Sequence, residues 1–139
     1  MATDDTILTE DSLRSRPDGL GIAVKIPWYR SLWLSSVSDI AVTLDGAEVP
    51  KEQLRAELGD RSYRIEELQD QSETLWFLQD RLVIVVPREQ PPAAGEQVDV
   101  QVSMAVRLPY MQIKPGMYVT NHATNHRALA VRRGGSHAR

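Results

Sequence analysis

His122, His126 and His137 are all the histidines of this chain, and they lie together near its C-terminal end. His122 and His126 have the H-x-x-x-H spacing that would set two imidazoles on one face of a helix, an arrangement used by some zinc sites. The surrounding "TNHATNHRAL" is rich in Asn and Thr, which favour caps and turns over helix interiors. In an extended chain a four-residue offset separates the two rings by about 13 Å, too far for one metal ion. The pair therefore reads as solvated loop histidines or as contacts to a ligand or partner. A self-contained metal enzyme built on His122 and His126 is the third reading.

Other chemistry is thinly represented. The chain has no cysteine, which excludes disulfides, thiolate nucleophiles and Cys-ligated metals. No Gly-x-Ser-x-Gly elbow is present. Among the 19 acidic residues, Asp4/Asp5, Glu10/Asp11 and Glu66/Glu67 read as solvated polar positions rather than a glycosidase pair. No residue is assigned a catalytic role, and no metal or cofactor is expected on this chain.

The unusual chemistry is aromatic. "IPWYRSLWL" packs Trp28, Tyr29 and Trp33 around Arg30 with neither a helix nor a strand period. Pro27 ends the ladder of the preceding strand. Aromatics and arginine concentrated in one connection are the composition of an interface anchor, and they also suit stacking on a sugar or aryl ring. "LPYMQIKPGMY" is a second such patch, with Tyr110 and Met111 at its head. The blander reading is that both patches cap the ends of the chain's own core.

The elements that position these residues have a period of two. Val98, Val100, Val102, Met104, Val106 and Leu108 alternate with mostly polar residues, as in a half-buried strand. Burial of each contributes about 1.5–3 kcal/mol as an upper bound. Ile22, Val24 and Ile26 alternate likewise, as do Ile40, Val42 and Leu44. Residues 82–86 are continuously apolar, which suits a strand covered on both faces. Asp45-Gly46 signals a type I′ hairpin. Gly59-Asp60 marks another turn, and "PREQPPAAGEQ" reads as the loop of a long hairpin between strands ending near Val86 and starting near Gln97. Ile65 and Leu68 fit one short helix, followed by an extended Leu75–Leu78.

About seven or more short strands and at most one short helix predict an all-β, single-domain antiparallel β-sandwich over residues 1–132, with 133–139 as a flexible tail. "NHRALAV" reads as a last edge strand. With 139 residues the chain can bury one core without staples. A net charge of −3 gives no footprint for nucleic acid. No apolar run approaches a membrane span, and the acidic, polar opening is unlike a signal peptide, so a soluble cytoplasmic protein is expected.

The run "GIAVKIPWYRSLWLSSVSDIAVTLDGAEVP" resembles the beta subunit of bacterial C-glycoside deglycosidases. The resemblance rests on Ile26-Pro27, Trp28-Tyr29-Arg30, Leu34-Ser35, Asp45-Gly46 and Glu48-Val49-Pro50 in that order, with "TEDSLR", "SYRIEEL", "LWFLQDRLVI" and "RLPYM" around them. It covers residues 6–113. Trp33 stands where the family pattern has a smaller residue, and the segment from Met117 onward matches no part of that pattern. The resemblance implies a β-sandwich that joins a larger TIM-barrel alpha subunit in a higher hetero-oligomer. That subunit would hold Mn²⁺ or a similar divalent metal and the catalytic base. The implied substrate is a 3-oxo C-glycoside, whose carbon–carbon bond to an aryl aglycone breaks by elimination. This chain would be the accessory subunit of a lyase, inactive alone. Trp28, Tyr29, Arg30, Trp33, Tyr110 and Met111 would line the partner interface or the substrate entrance. The alternative is a free-standing carbohydrate-binding β-sandwich with the same aromatics as its platform.

Overall fold

The computed structural model describes residues 7–27, 31–88, 93–115 and 117–132, with backbone alone for 109–114 and 117–119. Eleven strands form among them: β1 (Leu13–Arg16), β2 (Gly19–Val24), β3 (Leu32–Trp33), β4 (Val37–Leu44), β5 (Ala47–Glu48), β6 (Arg55–Leu58), β7 (Arg61–Arg64), β8 (Leu75–Trp76), β9 (Leu82–Pro87), β10 (Gln97–Lys114) and β11 (Met117–Ala130). The described residues contain no α-helix. The predicted short helix is a 3-10 segment, Ile65–Asp70, that buries Ile65 and Leu68.

Two antiparallel sheets enclose the core. One runs β1-β2-β9-β6-β7 and the other β11-β10-β4-β5, while β3 and β8 form a separate two-stranded ribbon. The alternation read from sequence faces inward as predicted. Val98, Val100, Val102, Met104, Val106 and Leu108 join Ile40, Val42 and Leu44 of their own sheet and Ile22, Val24, Leu82 and Ile84 of the other in one buried cluster. The fold is all-β, a sandwich of two sheets.

Asp45 and Gly46 both have positive φ, 50° and 84°, so the β4–β5 turn has the type I′ geometry. The turn at Gly59-Asp60 falls between β6 and β7. One expectation fails. β9 and β10 belong to different sheets, so the proline-rich segment between them is a crossover and not a hairpin loop. Its glycine still ends it, with Gly95 N–H donating to Val131 O at 2.7 Å. Residues 133–139, expected to be a flexible tail, lie outside the described residues.

One long side chain crosses the outer face of the first sheet from β1 to β6. Arg16 leaves edge strand β1, passes over Gly21 and reaches β6. Its Nη1 and Nη2 donate to Glu57 Oε1 and Oε2 at 2.9 and 3.1 Å, and its Nε donates to Asp18 Oδ1 at 2.9 Å. A Cβ on Gly21 would stand 2.9 Å from Arg16 Cδ, so glycine leaves the path for this arm. The arm also lies beside Val83, which accounts for part of the two-sided cover expected of residues 82–86.

The N-terminal segment is strapped across the sandwich. Ile7 and Leu8 are fully buried. Lys25 N–H donates to Ile7 O at 2.9 Å, and Ala23 N–H donates to Ser12 O at 2.8 Å. From the other sheet, buried Asn125 of β11 accepts from Ile7 N–H at 2.5 Å and from Leu8 N–H at 2.9 Å through Oδ1. Arg81 donates to Thr9 and Asp11 at the turn of the strap, at 3.2 and 3.4 Å.

The Asp11 carboxyl is held below its ordinary range first by the Thr9 hydroxyl and then by Arg81, with burial opposing. Hydrogen bonds from Arg16 lower the Asp18 carboxyl in the same way. A carboxyl with a lowered folded pKa adds stability above its unfolded pKa of about 3.9, and the gain is lost as pH falls through the folded value. Thermal stability should hold level above about pH 5 and decline below about pH 4. In the Asp11→Asn, Asp18→Asn double variant that acid slope should be shallower in a melting series. Both carboxyls are partly exposed, so the change in slope is small.

Tyr63 of β7 is buried, and its hydroxyl has no hydrogen-bond partner among the described residues. An unpaired buried hydroxyl costs about 1–3 kcal/mol, whereas a ring of the same shape without it does not. Tyr63→Phe should leave the midpoint of urea unfolding unchanged or raise it.

Candidate functional site

The pairing registers define two ends of the sandwich. Val24 pairs with Leu82 and Val37 with Val106, at the end where β2 leads into Ile26 and Pro27. Gly19 pairs with Pro87 and Leu44 with Val100 at the opposite end. The β3–β8 ribbon belongs to the first end, because its strand β3 lies between Pro27 and Val37.

The ribbon is two-faced. Leu32 pairs with Trp76, and both are buried; Trp33 pairs with Leu75 on the outward side. Trp76 Nε1 donates to Asp80 O at 2.9 Å, which satisfies the one polar atom of a buried indole. Leu78 N–H donates to Ser31 Oγ at 2.7 Å and extends the contact past the strands. Trp33, Phe77 and Leu78 are the large apolar side chains exposed among the described residues, at 45%, 47% and 46%. All three belong to the ribbon or directly follow it. Trp33, marked in sequence as a partner-facing aromatic, is thus turned outward and is not a core residue.

Phe77 and Leu78 were not singled out from sequence. They sit in "LWFLQ", four apolar residues in a row, of which a two-residue strand buries one indole and releases the next two side chains. Trp28, Tyr29 and Arg30 lie outside the described residues, as do the side chains of Tyr110 and Met111. The backbone of Tyr110 and Met111 is in β10, beyond the last residue that pairs with β4.

The segment from Met117 is a strand 14 residues long, so the predicted edge strand is present but begins well before Asn125. His122 and His126 are exposed on its outer face. Three residue pairs of the ladder lie between them, which puts them about 13 Å apart. His126 Nε2 lies 2.7 Å from Asp99 Oδ2 of the neighbouring strand. Among the described residues no three His, Asp or Glu side chains gather as a metal would need. At that separation the two imidazoles do not converge on one point.

At the opposite end, Leu44, Val49, Gln53, Val86 and Arg88 line a cleft of about 260 Å³. That is below the usual size of a ligand pocket. No helix among the described residues is long and apolar enough to cross a membrane.

A β-sandwich whose exposed large apolar side chains collect at one end defines a class: small all-β chains with an exposed apolar end. Comparison with known proteins says which. A family model described as C-glycoside deglycosidase beta subunit matches residues 3–110. The C-glycoside deglycosidase beta subunit of Arthrobacter globiformis is 44% identical over 131 residues, covering 94% of this chain and 99% of the relative. A second beta subunit of that name from the same organism is 30% identical over 86% of this chain and 92% of its own length. The 3'-dehydrocarminate deglycosidase beta subunit of a Microbacterium species is 28% identical over 78% and 81% of the two chains. The chain belongs to the C-glycoside deglycosidase beta subunit family. The first of these matches is long enough to run well past Met117, so the similarity extends along the last strand, beyond the residue 113 at which the resemblance read from motifs ends.

Proposed function

We propose that this chain is the small subunit of a heteromeric C-glycoside deglycosidase. It supports assembly and borders the substrate entrance, while a larger TIM-barrel subunit carries the catalytic base. The observation that carries this reading is the 44% identity along nearly the whole of a named beta subunit. The outward ribbon supports it, since a monomer gains nothing from exposing Trp33, Phe77 and Leu78 at one end.

The substrate is a C-glycoside already oxidised to a ketone at the sugar C3. That ketone acidifies the proton at C2. Removal of the proton by the larger subunit's base leaves an electron pair that expels the aglycone from C1, and the aryl carbon takes up a proton. The carbon–carbon bond is broken without water and without net oxidation, which makes the reaction a lyase reaction. A divalent metal such as Mn²⁺ in the larger subunit would supply Lewis-acid polarisation of the ketone.

The test is reconstitution. The chain and its cognate larger subunit are purified separately and together, then given a 3-oxo C-glucoside. Free aglycone is expected from the pair and not from either chain alone. Release by the small chain alone would overturn the reading. So would saturable sugar binding by a chain that never associates with the larger subunit, which is the behaviour of a carbohydrate-binding module.

A further inference from the structure

The pairing of β10 with β4 stops at Val106, yet β10 continues to Lys114 and β11 begins at Met117. Beyond that point β10 pairs only with β11 among the described residues, with register shifts after Leu108 and after Gln112. A two-stranded arm therefore projects past the four-stranded sheet. An isolated two-stranded ribbon is marginal in water. Its sequence, "LPYMQIKPGMYV", is mostly apolar where a solvated arm would be polar.

The base of the arm is tied to the aromatic connector on both sides. On β10, Arg107 Nη2 donates to Ser35 O at 3.1 Å, at the connector's far side. On β11, Asn121 Nδ2 donates to Pro27 O at 3.0 Å, at its near side. The arm and the β3–β8 ribbon thus leave the same end of the sandwich from adjoining roots. From this juxtaposition we infer that the arm and the ribbon, with Trp33, Phe77 and Leu78, form one composite surface that docks the larger, dissimilar subunit.

The three half-exposed large side chains offer on the order of 300 Å², well short of the roughly 800 Å² that each partner contributes to a standard stable interface. The arm, paired at four positions from Arg107–Thr120 to Lys114–Met117, extends that surface by about 13 Å. The unlike subunit is favoured because the relatives are named as beta subunits, members of unlike assemblies. This inference rests on the reading of the chain as a small subunit and adds where it docks.

The test uses the full chain co-expressed with its cognate larger subunit, the larger one carrying the tag. Phe77→Asp and Leu78→Asp place a charge on exposed positions, and Trp33→Ala removes the indole. Arg88→Glu, at the opposite end, is the control. Circular dichroism and melting of each purified small chain confirm its fold. Association should weaken about tenfold or more for the ribbon variants and stay unchanged for Arg88→Glu. Recovery of folded Phe77→Asp and Leu78→Asp at wild-type yield would overturn the docking surface and leave the subunit reading intact. A homodimer of the isolated wild-type chain that these variants dissolve would overturn it in favour of a second copy. If the wild-type chain never binds the larger subunit, the subunit reading itself falls, and the docking surface with it.

Discussion

Gly19→Ala should be among the most damaging single substitutions in this chain, at about 3 kcal/mol or more of lost stability. Gly19 opens β2 with φ at +146°, a backbone state that residues with a Cβ rarely adopt. The space is also taken. An added Cβ would lie 2.1 Å from Val86 O, 2.7 Å from Arg88 N and 2.9 Å from Pro87 Cα. All three are backbone atoms of the partner strand and the residue after it, so no side chain can swing aside. Relief requires β2 and β9 to part at Gly19–Pro87, where their ladder begins. Urea unfolding of the purified chain should show a large fall in the midpoint, or no folded protein. Gly21→Ala is the informative contrast. Its Cβ meets the Arg16 side chain, which can shift, so the loss should be smaller and confined to the Arg16–Glu57 contact.

Asn125→Ala is expected to cost about 2–4 kcal/mol, because it orphans two buried donors at once. The Oδ1 of Asn125 is the acceptor for the N–H groups of Ile7 and Leu8. Those residues are buried, so water cannot take its place without opening the strap. The fraying should be local first. Hydrogen exchange should speed at Ile7, Leu8 and Lys25 more than in β4 or β10, and the melting temperature should drop with it. Asn125→Gln, which keeps the amide on a longer stem, should recover part of the loss if the hydrogen bonds are what matter. Equal losses in the two variants would assign the effect to packing.

These residues also show why some of the fold was legible in the sequence and some was not. Strand β10 could be read because its inward positions are six apolar residues in strict alternation, and burial is what enforces that pattern. Strand β11 was read only as the short edge strand "NHRALAV", because its inward positions carry no apolar alternation and include Asn125 and the partly buried Arg127. Those side chains serve the backbone of the N-terminal strap, a use that hydropathy does not record. The β4–β5 turn was legible because only a few residue pairs tolerate its backbone. The partner of β9 was not, since a proline-rich connection says that the chain turns and not which sheet it enters. Trp33 was marked by composition and is exposed, whereas Phe77 and Leu78 needed the ribbon's register before their exposure could be seen.

The strap has a consequence for how the protein is made. Ile7 and Leu8 take their acceptor from Asn125, 118 and 117 positions later. A nascent chain emerging from the ribosome therefore leaves Ile7 and Leu8 unsecured until Asn125 has been translated. Contacts between such distant positions slow folding, since a long loop must close before they form. The opening residues should be a target for chaperones during synthesis, and the sandwich should latch as nearly its last act.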